Sequence, residues 1–127
     1  MPAPSRSKPN ARQRHHRRGM RAEALAALLL QCKAYRILAR RYKTPVGEID
    51  LIARRGGILV FVEVKGRADE AACAEAIHGK NRQRVVRASQ YYLAAHPELA
   101  HLAVRFDALL VPWYRWPKHL IAAFDAA

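Results

Sequence analysis

Mid-chain, Val46–Ala53 interleaves apolar positions with Glu48 and Asp50, and Ile58–Lys65 is apolar but for Glu63 and Lys65; both are rich in β-branched residues. Short runs of this kind predict strands. The intervening Arg54-Arg55-Gly56-Gly57 predicts a tight hairpin. Upstream, Gly19 to about Lys33 follows helical spacing, with Leu25, Leu28, Leu29 and Cys32 on one stripe. Ala27 and Leu30 share the other side with Glu23, so this helix is apolar almost all round. Glu23 then has equal claim to a covered groove and to open solvent. Tyr35–Tyr42 reads as a strand punctuated by Pro45. Ala74–Ala95 reads as a second helix that breaks or restarts near Gly79 and ends at His96-Pro97. Leu102–Val111 is a further strand, and Leu120–Phe124 can add an edge strand. The order α-β-β-β-α-β(-β) describes an α/β domain, a mixed four- to five-stranded sheet flanked by helices.

Charge adds a partner to this outline. The 127 residues carry 23 Lys plus Arg against 10 Asp plus Glu, a formal net charge of +13. Such a balance favours polyanions, nucleic acid above all. Seven of the cations precede Glu23, the first acid, and removing them leaves 16 basic against 10 acidic residues, so the body is basic too. Prolines, serines and scarce apolar residues mark residues 1–17 as a disordered basic arm ahead of a single domain at 18–127. No apolar run directly follows the arm's basic residues as in a secretory signal, while a transit peptide would share its Arg- and Ser-rich composition. Ala22–Leu30 is too short to span a bilayer. Cys32 and Cys73 match no metal-binding spacing and fit reduced thiols in the cytoplasm.

Candidate chemistry gathers on the hairpin. Glu48 and Asp50 share a strand face with Ile52, and Glu63 and Lys65 share one with Leu59 and Phe61, while the reverse face is wholly apolar. If Gly56-Gly57 is a two-residue loop, Arg55 pairs with Ile58, Asp50 falls opposite Glu63, and Glu48 falls opposite Lys65. Carboxylates that close repel one another unless a cation sits between them. A hard ion such as Mg²⁺, held by one or two carboxylates plus phosphate oxygens and water, suits that position. A neighbouring ammonium at Lys65 can orient water or stabilise charge developing on phosphorus. The same pattern also fits two cross-strand salt bridges on a solvated face, and both readings stay open on spacing alone.

The segments Arg18-Gly19, Ala22-Glu23, Gly47-Glu48-Ile49-Asp50-Leu51-Ile52-Ala53 and Phe61-Val62-Glu63-Val64-Lys65 resemble the bacterial YraN family of uncharacterised proteins (UPF0102). Arg105-Phe106-Asp107 and Ala123-Phe124 resemble that family's last motifs, so the likeness runs from about Arg18 to Phe124. The family is similar in turn to the restriction-endonuclease-like PD-(D/E)xK superfamily, including archaeal Holliday-junction resolvases. The resemblance implies that Asp50 and Glu63 bind Mg²⁺ or Mn²⁺, that Lys65 is the catalytic lysine, and that Glu23 and Glu48 support them. The chain departs from the family at Gly66-Arg67 and by lacking a glycine within Ala68–Ala76, the stretch leading to the second helix.

The expectation is a metal-dependent nuclease hydrolysing DNA, with branched DNA suggested by the resolvase analogy alone. Lys80, Arg82, Arg84, Arg87, Arg17 and Arg18 are candidate phosphate contacts. Lys80 also falls on a lysine that starts this helix in the family. Trp113, Tyr114 and Trp116 suit either base stacking or the edge of a core. Asp107 suits a structural salt bridge better than a metal position. The alternatives are a non-catalytic nucleic-acid-binding module and a ribosome- or RNA-associated protein with the same fold. A homodimer is left open.

Overall fold

The computed structural model describes residues 11–126, with side chains from Arg21 onward. Its elements are α1 (Ala11–Cys32), β1 (Arg36–Thr44), β2 (Gly47–Arg55), β3 (Ile58–Lys65), α2 (Glu70–His78), α3 (Asn81–Ala95), β4 (Ala103–Leu110) and β5 (Lys118–Phe124). The five strands form one sheet in chain order. Every neighbouring pair is antiparallel except β3 and β4. Antiparallel partners need only short loops, whereas the parallel pair needs a crossover, which α2 and α3 supply. This mixed sheet with flanking helices matches the expected architecture and is consistent with a restriction-endonuclease-like fold.

Both faces of the central hairpin are covered. Ala22, Ala26, Ala27 and Leu30 of α1 pack over Leu51, Ala53, Val60 and Val62. On the opposite face, Val85, Ala88 and Tyr92 of α3 cover Ile49, Ile52, Leu59 and Phe61. The face that bears Glu63 and Lys65 is therefore apolar and buried for most of its length, and only its end is polar. A smaller cluster joins Ala76 of α2 to Ala108 and Leu110 of β4.

Three expectations about the helices need correction. The buried stripe of α1 is alanine-rich, whereas Leu25 and Leu28 are 48% and 56% exposed and Cys32 is also exposed. Alanines let a helix approach a sheet whose own Leu and Val side chains fill the gap, and periodicity cannot rank two sides that are both apolar. The first helix also begins at Ala11, well before Gly19, so Ala11–Arg17 of the expected arm is helical. Ala, Arg and Gln are strong helix formers, and no proline follows Pro9 until Pro45. The rest of that arm, residues 1–10, lies outside the described residues.

The second helix is two helices, divided at Gly79 as its sequence suggested. It starts at Glu70, earlier than Ala74, because the Asp69 side chain accepts the Ala72 N–H at 2.8 Å and caps the first turn. Gly79 is extended and donates its N–H to the Glu75 carbonyl at 2.8 Å, and a Cβ there would collide with that same oxygen. Among the described residues, no helix is long and apolar enough to cross a membrane.

Candidate active site

The β2–β3 hairpin turns through Gly56-Gly57, with Gly56 left-handed at φ 58°. Arg55 pairs with Ile58 as expected, and the ladder continues to Leu51 opposite Val62. One further step would set Asp50 against Glu63. There the pattern changes. The Asp50 carboxylate, through Oδ2, accepts the Val64 backbone N–H at 2.8 Å. Ile49 and Ile52, three positions apart, both pack on the α3 side, so strand alternation slips at Asp50-Leu51. Two strands that part at their ends thus stay joined by an acid's side chain.

Around Asp50 stand the other predicted residues. Glu63 is only 8% exposed. Its Oε1 accepts from Asn81 Nδ2 of α3 at 3.3 Å and lies 3.5 Å from Lys65 Nζ. The same ammonium lies 3.2 Å from Glu75 of α2. Glu23 occupies the covered groove, not open solvent: its Oε2 accepts from Arg41 Nε at 2.6 Å. Glu48 is exposed at the ladder position opposite Lys43.

The charges at Asp50 and Arg41 feel their neighbours. Burial pushes the Asp50 carboxyl up to about 6 from its ordinary 3.8, the Val64 hydrogen bond opposes that rise, and repulsion from Glu23, Glu63 and Glu48 adds to it. Arg41 is raised by its bond to Glu23 and by attraction to Glu23, Glu48 and Asp50. The guanidinium pairs with Glu23 and is attracted through space by Glu48 and Asp50. Arg41 also sits in the left-handed region, at φ 51°, a costly conformation for a residue with a side chain.

Sequence reasoning missed Arg41, Asn81 and Glu75. A signal existed for Arg41: the turn that sets Thr44 opposite Gly47 continues a register in which Arg41 faces Asp50, between the pairs Arg40↔Leu51 and Tyr42↔Ile49. Thr44 holds that turn by accepting the Val46 and Gly47 N–H groups at 3.2 and 3.0 Å and donating to the Gly47 carbonyl at 2.7 Å. Asn81 and Glu75 carried no such signal, since only the crossover brings α2 and α3 to this end of the sheet.

Among the described residues, no three His, Cys, Asp or Glu side chains form a ready-made metal cage. The donor set fits a hydrated ion better. Mg²⁺ keeps several waters and needs only one or two protein carboxylates, and the mutual repulsion at Asp50 is the feature a cation would relieve.

Of the expected phosphate contacts, Lys80, Arg84 and Arg87 are exposed along α3. Arg82 is half-buried and donates to the Ile77 carbonyl at 3.3 Å, bracing the α2–α3 junction. Arg17 and Arg18 lie in α1, but their side chains fall outside the described residues. Asp107 is fully buried in a separate network. It accepts from Arg105 Nε at 2.8 Å and the Ala122 N–H at 2.9 Å and pairs with His119 Nε2 at 2.7 Å, a structural ion pair as expected.

The family described as uncharacterised protein family UPF0102 matches this chain over residues 22–111, a span that holds every member of the site. The chain belongs to UPF0102. A UPF0102 protein of Bradyrhizobium sp. (strain ORS 278) is 50% identical over 126 residues, covering 99% of this chain and 89% of that relative. One from Methylorubrum extorquens (strain PA1) is 52% identical over 118 residues, covering 92% of each chain. One from Parvibaculum lavamentivorans is 50% identical over 109 residues, covering 86% of this chain and 82% of its own. This UPF0102 chain thus matches these relatives over nearly their full length.

Proposed function

We propose that this UPF0102 chain is a metal-dependent nuclease that hydrolyses DNA phosphodiester bonds, a member in chemistry of the PD-(D/E)xK superfamily. One observation carries the reading: a half-buried, strand-bridging Asp50 repelled by three carboxylates, with Lys65 and Glu63 on the adjoining strand. Repulsion of that kind is costly to a fold unless it serves to bind something positive.

Asp50 and Glu63 would hold Mg²⁺ or Mn²⁺, with Glu23 and Glu48 adding negative charge around them. Such an ion, when bound, polarises a phosphoryl oxygen and makes water a stronger nucleophile. Lys65 Nζ, pinned between Glu63 and Glu75, is positioned to hold the attacking water or the charge developing on phosphorus. Asn81 fixes the Glu63 carboxylate from behind. Arg41 restrains Glu23 and offsets part of the site's charge. Lys80, Arg84 and Arg87 would grip phosphates flanking the scissile bond, which gives salt-dependent affinity without reading sequence.

Isothermal titration with Mg²⁺ and Mn²⁺, with Asp50→Asn as control, tests the ion site. Incubation with linear, flapped, four-way-junction and RNA substrates tests turnover. Metal binding lost in the variant, together with metal-dependent cleavage of a DNA substrate, is expected. Nucleic-acid binding that survives replacement of Asp50, Glu63, Lys65 and Glu23 with no cleavage of any substrate would instead mark a non-catalytic module.

A further inference from the structure

The loop from β4 to β5 carries Trp113-Tyr114-Arg115-Trp116 between Pro112 and Pro117. Its indoles do not cap a core. Trp113 is 84% exposed and Trp116 is 90% exposed, with Tyr114 beside them at 49%. Trp113 meets Tyr114 edge-on at 5.6 Å, and the Arg115 guanidinium lies 5.2 Å from the Tyr114 ring centre. The loop thus presents aromatic faces interleaved with a cation.

Its position is set by the sheet. Because β4 runs parallel to β3, Leu110 pairs with Lys65, and the Val111 N–H donates to the Lys65 carbonyl at 2.7 Å. The loop therefore leaves the sheet beside the proposed catalytic lysine. Trp113 then walls an apolar pocket of about 330 Å³ with Arg21, Ala22, Leu25, Gly66 and Val111. Ala22 immediately precedes Glu23, and Gly66 immediately follows Lys65. The pocket wall thus includes the chain neighbours of two candidate site residues.

We infer that this loop and pocket form a stacking platform for unpaired nucleotide bases adjoining the phosphate that is cut. The inference deepens the nuclease reading and rests on it for the position of that phosphate. Charge chooses the occupant: Arg21 and Arg115 border the aromatic faces, and the chain as a whole carries +13. A polyanion with flat, splayed bases complements such a surface. Paired bases offer only their edges in the grooves, so an intact duplex cannot use it. The substrate class is therefore DNA with a single-stranded segment beside the scissile bond, such as a flap, a fork or an overhang.

Trp113 and Trp116 are the chain's only tryptophans, so indole emission reports this loop alone. The full-length protein is titrated in EDTA with an oligo-dT strand and with a blunt duplex of two complementary strands of equal length. The single strand is expected to quench emission, and the duplex to leave it nearly unchanged. By anisotropy of a labelled oligo-dT, each of Trp113→Ala and Trp116→Ala should weaken binding about 5- to 150-fold per stacked base lost. The Phe variants should retain most of the affinity and guard against a folding artefact.

Oligo-dT that binds by anisotropy without moving indole emission, or equal quenching by the duplex, overturns the inference. Emission that shifts on dilution of the protein alone, with sedimentation showing a dimer, assigns the face to a second copy and also overturns it. The nuclease reading fails separately. Quenching that persists while Mg²⁺ binding and cleavage are absent removes that reading and keeps a single-strand site. Cleavage of a flapped substrate with unaltered KM in the Trp113→Ala/Trp116→Ala variant does the reverse.

Discussion

The Asp50 carboxylate and the Val64 backbone N–H lie 2.8 Å apart, so a side chain of β2 takes up a main-chain donor of β3 beyond the end of their ladder. The same device recurs at Asp107, which accepts the Ala122 N–H of β5 at 2.9 Å where the β4–β5 register shifts. The two acids differ in the charge around them. Asp107 sits between Arg105 and His119, whereas Asp50 sits among carboxylates. One is paired with cations, and the other is surrounded mainly by like charge.

Asp50 gives a signed pH prediction. Its folded value of about 6 lies above the ordinary 3.8, so the folded chain holds a proton there that the unfolded chain has released. The resulting stabilisation is full below the unfolded value and is lost as pH rises through about 6. From about pH 7 to about pH 4, denaturant titrations of the metal-free protein should show the wild type gaining up to about 3 kcal/mol relative to Asp50→Asn. Divalent ions should bind more weakly below about pH 6, where they compete with that proton.

Lys65→Ala should separate binding from chemistry. On a cleavable substrate, kcat is expected to fall by about 10²- to 10³-fold, the cost of removing one charge-stabilising donor. Mn²⁺ binding by calorimetry should persist, because Asp50 and Glu63 remain. Loss of Mn²⁺ binding in this variant would show that Lys65 acts by holding Glu63 in place.

Asp107→Ala should act on the fold and spare the ion site. Burial raises the Asp107 carboxyl, but the His119, Arg105 and Ala122 hydrogen bonds and the Arg105 charge outweigh burial and hold it below its ordinary range. Removing it strands a half-buried guanidinium, at a cost of about 3–5 kcal/mol. The wild-type contribution is present above the ordinary carboxylate range and is lost as pH falls through the depressed folded value. Calorimetric melting should record the loss, and Mn²⁺ affinity at a temperature where the variant is folded should be unchanged.

Gly47→Ala tests how α3 is seated. A Cβ at Gly47 would lie 2.9 Å from the Arg84 carbonyl oxygen and 3.1 Å from its Cβ, so the helix must move. Destabilisation of about 1–3 kcal/mol is expected. A helix pushed outward would also withdraw Asn81 from Glu63, so metal affinity should fall together with stability.

Much of this architecture is written locally. The β2–β3 hairpin follows from β-branched strands around Gly56-Gly57, and its two-residue loop fixes the Arg55↔Ile58 register. The helix break follows from Gly79. Asp50, Glu63 and Lys65 could be named because a hairpin carries near neighbours in sequence to near positions in space. By sequence alone, this chain determined its strands, its hairpin and the acids at the hairpin's open end. Only the tertiary structure decided which side of α1 faces the sheet, that Arg41 and Asn81 join the site, and that the tryptophan loop rises beside Lys65. Those relations depend on how a parallel crossover and a helix with two apolar sides close over the sheet. Such packing is settled by shape and burial between distant segments, for which no local period carries a sign.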